Sequence, residues 1–576
     1  MLVALPLLLA AAGQVPTLTV GQTFLAGNDD PGQGSTGWAL VSHGVGEKLF
    51  TVDSEDNLVS QLATTAVRTS SNLWTITLAP NRFFSDGSPV TAADVAASLG
   101  RTNELNNAAK SSCGEMTFTA LEDGLTLTIA TTIATPVMVS VLAEWAFVVY
   151  KTLSDDSRVF TGPYAIDSLN ATELTASPNM YYPDYSTCKR APLVIKRYSS
   201  SEVTTALSSG NVDLGFNLPI ESTSQLNWFQ DVTAKSYSVG YQYMMFFNTN
   251  RASLADVNVR KALALAVDRQ ALSQATHPPG LAASAVNEAV ATGAFPASTP
   301  WGAVHSKLTT NATLAAEMLD AAGWQLNNAV PPVRVKNGDE LSLDLVYYTF
   351  RSDLVAMAPV IKAQLEALGV VVTTRVDDSG GYMVGSGFDL LLWAQHTLPA
   401  GDPNWFLETF FKSQPAPLTE FNWTAQNFAS LNSATIDAAL VALRSAEGAA
   451  RATAASNAQN AIFDEVPATF LTSPTWHVGV RGRLASYEPW GSDYYVIKSN
   501  MNDTSAGGCP AAGGSSRDDK FGLYAAIIAL ACVSVVTIAT TIAACSMKKS
   551  GAPNAPKPAA GVTLVSTTSN QAAEKA

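Results

Sequence analysis

Residues Leu73–Leu99 read LWTITLAPNRFFSDGSPVTAADVAASL. Leu73, Thr75 and Thr77 alternate with Trp74, Ile76 and Leu78, the period-two pattern of a strand with one buried face. Pro80, which lacks a backbone donor, stops that strand. Asp86-Gly87-Ser88-Pro89 carries turn chemistry. Thr91-Ala92-Ala93-Asp94 then reads as a capped helix start, with an acid in the first turn where the helix dipole favours it. The unit is strand, turn, helix.

Related phrases lie on both sides. Upstream, Gly46-Glu47-Lys48-Leu49-Phe50 precedes Asp53 and Leu62-Ala63. Downstream come Phe160-Thr161-Gly162-Pro163-Tyr164, then Ala206-Leu207 with Gly210-Asn211-Val212-Asp213-Leu214, then Val259-Arg260-Lys261-Ala262-Leu263 with Val267-Asp268-Arg269. Ala315-Ala316-Glu317-Met318-Leu319 with Ala322-Gly323-Trp324, and finally Gly401-Asp402-Pro403, complete the series. In this order the chain resembles solute-binding protein family 5, the dipeptide, oligopeptide and nickel-type extracellular binding proteins. The resemblance implies an α/β fold, a two-lobed periplasmic-binding-protein type 2 clamshell with an additional inserted domain. It places lobe one at 17–40, 161–245 and 474–498, the inserted domain at 41–160 and lobe two at 246–473.

Local patterns agree with strand-helix alternation. Val203–Leu207 reads as a short helix stopped by Gly210, and Val212–Phe216 as a strand. Val259–Leu272 spaces its apolar residues as one helix. Leu341–Tyr347 reads as a strand, Leu354–Leu368 as a helix ended by Gly369, and Val370–Val372 as the next strand.

With 576 residues, 47% of them hydrophobic, the chain has material for more than one core. A formal charge of −14 without a Lys/Arg run argues against a nucleic-acid partner. Leu2–Ala12 is an apolar run too short to span a bilayer, so residues 1–13 read as a secretion signal. Phe521–Cys545 carries no charge and is long enough to cross; Asp518 and Asp519 precede it and Lys548 and Lys549 follow. The expectation is a single-pass type I membrane protein. Its binding domain (14–500) would be extracellular or lumenal, followed by a Gly/Ser-rich stalk (501–520), one C-terminal transmembrane helix (521–545) and a cytoplasmic tail (546–576). Cys113–Cys188 is the expected disulfide, with Cys509 free or joining two copies. Asn170, Asn311, Asn422 and Asn502 are sequons for glycosylation.

The resemblance puts the ligand between the lobes, against Phe24–Asp30, Tyr347–Thr349 and Trp393–Asp402. The candidate binding residues are Phe24, Tyr347, Tyr348, Trp393, Gln395, His396 and Asp402. Dipeptide-type members carry an acid shortly before the late Asp-Pro, facing the peptide amine; here the sequence is WAQHTLPAG, without one. His396 would meet a metal only if the ligand is a metal chelate. Asp402 alternatively caps the helix after Pro403. No GxSxG, HExxH, P-loop or dinucleotide fingerprint is present, so neither an enzyme nor a cofactor is expected. The function implied is capture of peptides or a related small solute for ABC-type transport, with an ABC-type permease as partner. The alternatives are a nickel or metal-chelate binding protein and a ligand-sensing surface receptor of the same fold.

Overall fold

In strand Leu73–Leu78 every second residue is buried, which puts Trp74, Ile76 and Leu78 inward. The strand pairs with Ala63–Ser70 and Thr126–Thr131, and the latter pairs with Met116–Ala120, making a four-stranded antiparallel sheet. Gly87 turns the chain at φ +85°, with the Tyr181 ring against its Cα face. Helix Ala92–Leu105 then starts on a capping box. Thr91 Oγ1 accepts from Asp94 N (3.2 Å), and the Asp94 carboxylate accepts from Thr91 N (3.2 Å) and Oγ1 (2.5 Å). Both ends of this exchange satisfy groups a helix N-terminus otherwise leaves unpaired. Val95 and Leu99 pack with Ile76, Leu127 and Ile129 in one apolar cluster.

The computed structural model describes residues 16–501, apart from 54–56, 111–112, 278–288, 298, 382–386, 415–425 and 500. Two larger sheets carry the lobes. The first has seven strands in the order Tyr164–Leu169, Glu173–Pro178, Leu193–Arg197, Leu18–Gln22, Leu214–Phe216, Thr475–Arg481 and Val232–Ser238. The second has five, ordered Val371–Val376, Ser342–Tyr347, Leu390–His396, Tyr241–Phe247 and Ala468–Thr472. Tyr241–Phe247, YQYMMFF, is buried at every position, as a strand so rich in apolar and aromatic residues requires when both sheet faces are covered; Gln242 is its one amide side chain and accepts from Ser473 Oγ at 3.1 Å.

The chain passes between these sheets twice, at adjacent places. It leaves the seven-stranded sheet after Ser238 and enters the five-stranded one at Tyr241, and it returns between Thr472 and Thr475. The first crossing therefore lies ahead of the 245/246 boundary expected between the lobes, because Tyr241–Phe247 is one uninterrupted strand. Gly240 donates to Gly491 O at 2.8 Å, and its carbonyl accepts from Thr397 N at 3.3 Å.

Several local expectations change. The single helix expected over Val259–Leu272 is two, Val257–Ala266 and Arg269–Ala275, because Asp268 between them accepts from Gln270 N (3.0 Å) and Ala271 N (3.2 Å) and starts a new helix. The expected Cys113–Cys188 bridge does not form. Cys113 is a free thiol in the cluster under helix Ala92–Leu105, its pKa pushed up by burial and then by Glu144 and Glu115. Cys188 is disulfide-bonded, but not to Cys113. Asn170 accepts from Thr172 N and Glu173 N in a tight turn, and Asn311 caps helix Ala312–Ala321 through Leu314 N; the sequons Asn422 and Asn502 lie outside the described residues. Among the described residues no helix is long and apolar enough to cross a membrane. The expected signal 1–13, span 521–545 and tail 546–576 lie outside those residues, as does the expected stalk beyond Met501.

The crossing makes one mutation informative. A Cβ on Gly240 would lie 2.7 Å from His396 Cε1 and 2.9 Å from Nε2. The imidazole is buried, so it has no room to give. Gly240→Ala is expected to lower the stability of the fold by about 1–3 kcal/mol, the usual range for overpacking. Urea denaturation of the full chain checks this, and an unchanged midpoint would show that the crossing yields.

Candidate functional site

The loop that joins strand Ser342–Tyr347 to helix Ser352–Glu366 carries Tyr348, Phe350 and Arg351 to the place where the two crossings meet. Arg351 is buried, at 7% exposure. Its Nη2 donates to Asp493 Oδ2 at 2.6 Å and to Tyr241 Oη at 3.3 Å, and Tyr241 Oη donates to Asp493 Oδ1 at 2.7 Å. The guanidinium lies 4.4 Å from the Trp476 ring centroid and 5.1 Å from that of Tyr241, a cation held on aromatic faces. Burial pulls its pKa down, but Asp493 and the facing tyrosines outweigh that, so the net shift is upward and Arg351 stays charged. Its Nη1 has no hydrogen-bond partner among the described residues.

Arg351 also lines a cavity of about 330 Å³. Trp38, Trp145, Trp393, Trp405, Tyr241, Tyr348, Phe350 and Tyr494 give it aromatic walls, with Gln395 and Gln426 among the polar groups. Arg351 is the one charged side chain among its described lining residues. The walls brace each other. Tyr348 meets Trp393 edge-on at 5.5 Å, its Oη accepts from Ala394 N at 3.0 Å, and Trp393 Nε1 donates to Gln395 Oε1 at 3.1 Å. Such mutual packing holds rotamers fixed before any ligand arrives. Trp38 Nε1 is a second buried donor without a partner among the described residues.

Of the residues expected at the site, the structure brings Tyr348, Trp393 and Gln395 together on the cavity wall. The other four stand back from it. Phe24 stacks behind Trp38 at 4.4 Å. Tyr347 is half-buried at the end of its strand. His396 is enclosed by Tyr241 and Tyr494, each 5.3 Å away, and burial lowers its pKa to about 4. It is a neutral packing residue here, and the metal contact considered for it has no geometry to support it. Asp402 is bound on both oxygens by Arg451 (2.6 and 2.7 Å) and also accepts from Asn404 N at 2.9 Å, so it is not a free carboxylate; the N-cap position of the helix is Pro403, one residue on. Trp38, Trp145, Tyr241, Arg351, Trp405 and Tyr494 were not singled out from the sequence. Only Arg351 and Trp405 had a signal, each lying two or three residues beyond a segment that was.

A second, larger space of about 910 Å³ opens on the other side of Phe350. Tyr198, Ser199, Glu202 and Glu221 from the seven-stranded side face Thr349, Asp353 and Asp378 across it. Asp353 is buried and accepts from Tyr243 Oη at 2.6 Å. Burial pushes its carboxyl up to about 6, against the opposing pull of the Tyr243 hydrogen bond and Arg351.

Comparison with known proteins agrees with this architecture. The family model for bacterial extracellular solute-binding proteins, family 5 Middle, matches residues 57–417. The nickel-binding protein NikA of Staphylococcus aureus is 24% identical over 385 residues, covering 65% of this chain and 74% of that protein. The periplasmic murein peptide-binding protein MppA of Escherichia coli is 25% identical over 261 residues, 40% of this chain and 48% of that protein. The crystal structure of Staphylococcus aureus NikA in complex with Ni(L-His)2 superposes with a TM-score of 0.73 at 20% identity, over 85% of this chain and all of that one. For the structure of Escherichia coli MppA the TM-score is 0.69 at 19% identity, over 85% and 98%. These structural likenesses establish the two-lobed fold. The single-pass type I placement is corrected accordingly: the matching family is an extracellular one, and no described helix can cross a membrane. The chain belongs to the bacterial extracellular solute-binding proteins of family 5.

Proposed function

We propose that the protein captures one small, carboxylate-bearing solute with an aromatic or apolar body between its lobes and delivers it to an ABC-type permease. The observation that carries this reading is the aromatic cavity with one cationic group, Arg351, among its described lining residues, and the lack of any hydrogen-bond partner for the buried Arg351 Nη1 among them. Ligand sites are typically apolar with a few placed polar groups, and about 330 Å³ is at the small end of their range. That volume suits a solute of dipeptide size. An arginine fork recognises a carboxylate directionally, and a buried, charge-assisted hydrogen bond is stronger than a neutral one. No acid among the described lining residues is available to a free amine, since Asp402 is taken by Arg451. Within this reading the lobe ranges given above are proposed domain limits, with the first crossing moved to 239–240.

A metal chelate is the second reading. Among the described residues no group of three His, Cys, Asp or Glu side chains converges to hold a bare ion. A metal would therefore arrive already wrapped in its own carboxylate-bearing ligands, which would meet the same arginine.

Thermal denaturation of the full chain against paired carboxylates and their amides separates these ideas from none. The carboxylates are expected to raise the unfolding temperature by binding the folded state, and the amides are not. Equal shifts for both would remove Arg351 from recognition. Arg351→Lys keeps the charge that Asp493 requires and loses the fork. It is expected to weaken carboxylate binding by about tenfold or more in calorimetric titration, the scale of one charged hydrogen bond.

Asp353 gives a pH test. Its folded pKa of about 6 lies above the unfolded value of 3.8, so the folded state holds the proton more tightly. The stability it contributes is present below the unfolded pKa and is lost as pH rises through about 6. Asp353→Asn retains an acceptor for Tyr243 and cannot titrate. It is expected to remove a decline of about 2–3 kcal/mol from the stability profile between about pH 4 and pH 7, measured by urea denaturation.

A further inference from the structure

Among the described residues Phe350 is the one shared by the walls of the inner cavity, the outer cleft and a small recess lined by Arg351 and Asp353. Its ring stacks on Tyr348 at 4.3 Å and 20° and stands 5.4 Å from the Arg351 guanidinium, so one face is fixed by the cavity's own lining. Yet 39% of the residue is exposed, unlike Tyr348 at 1% and Trp393 at 8%. A large aromatic that braces a buried wall on one side and meets solvent on the other is a partition.

We propose that Phe350 separates the two chambers and thereby sets the length of solute the protein accepts. With the ring in place, a solute anchored at Arg351 ends within the inner cavity. With the ring removed, the inner cavity of about 330 Å³ joins the outer cleft of about 910 Å³, and a longer solute keeps its carboxylate at Arg351 while its body extends past Ser352 and Asp353. The retention of short solutes falls, because the wall that closed over them is gone. This inference rests on the carboxylate reading above for its ligand, but the partition itself is open to a test without ligand.

Phe350→Ala and Phe350→Leu change a residue already partly in solvent, so neither opens a core. Both are made in full-length protein carrying Trp228→Phe, since Trp228 is 86% exposed and would dominate quenching of the indole fluorescence. Acrylamide, a small neutral quencher, is expected to quench Phe350→Ala more steeply than the parent as Trp145, Trp393 and Trp405 become accessible, with Phe350→Leu between them. Unchanged quenching overturns the partition whatever the ligand is. The solute probes are N-acetylphenylalanine and N-acetyl-Ala-Ala-Ala-Phe, followed by stopped-flow fluorescence. Phe350→Ala is expected to release the short probe about tenfold faster and to shift the affinity ratio about tenfold toward the long one, changes of the kind that appear mainly in dissociation rates. Steeper quenching with an unaltered ratio overturns Phe350 as the length selector. Steeper quenching with neither probe bound by the parent supports the partition and overturns the carboxylate reading.

Discussion

A guanidinium without water around it must find charge and hydrogen bonds within the protein, and this requirement at Arg351 governs the centre of the molecule. The cost of burying a cation is met only where a carboxylate and further acceptors are placed with good geometry. Asp493 supplies the charge, Tyr241 bridges the two, and Trp476 lies against the guanidinium face. Tyr241 begins the strand after the first crossing, Trp476 follows the second, and Asp493 belongs to the segment that comes after both. Satisfying one side chain thus fixes how the two sheets meet. The aromatic cavity is formed in the same place, so its walls inherit the precision of that network.

The fold was legible where its determinants are local. Thr91 and Asp94 cap each other across three residues, and the alternation in Leu73–Leu78 needs no knowledge of what covers it. The site was legible to within one layer. Tyr348, Trp393 and Gln395 line the cavity, while His396, the next residue along the strand, points away and packs under Gly240, as strand periodicity demands. Phe24 is a support for Trp38 instead of a wall. Arg351 could not be read in this way, because its burial depends on Asp493, 142 residues away, and an arginine after an exposed-looking loop resembles any solvated charge.

Other differences share that cause. A helical apolar period ran through Val259–Leu272, but the carboxylate of Asp268 competes for the backbone and starts a second helix. Cysteine spacing carried no information about distance. Cys113 is packed beneath helix Ala92–Leu105, whereas Cys188 lies against Ser499, its sulfur 3.7 Å from that carbonyl. The 245/246 limit came from the resemblance, and the unbroken strand Tyr241–Phe247 lies across it.

Asp493 has a further consequence for what the protein can hold. Because it already neutralises Arg351, the aromatic cavity carries no unbalanced positive charge among its described lining residues. An anion that enters therefore brings net negative charge into a low-dielectric chamber whose remaining polar lining is neutral, the amides of Gln395 and Gln426 among it. Dipoles stabilise a local charge well and a net charge poorly. In the proposed reading a carboxylate is therefore held as much by the aromatic walls around the solute's body as by the arginine. Binding strength then follows the apolar surface the solute buries more than the charge it carries.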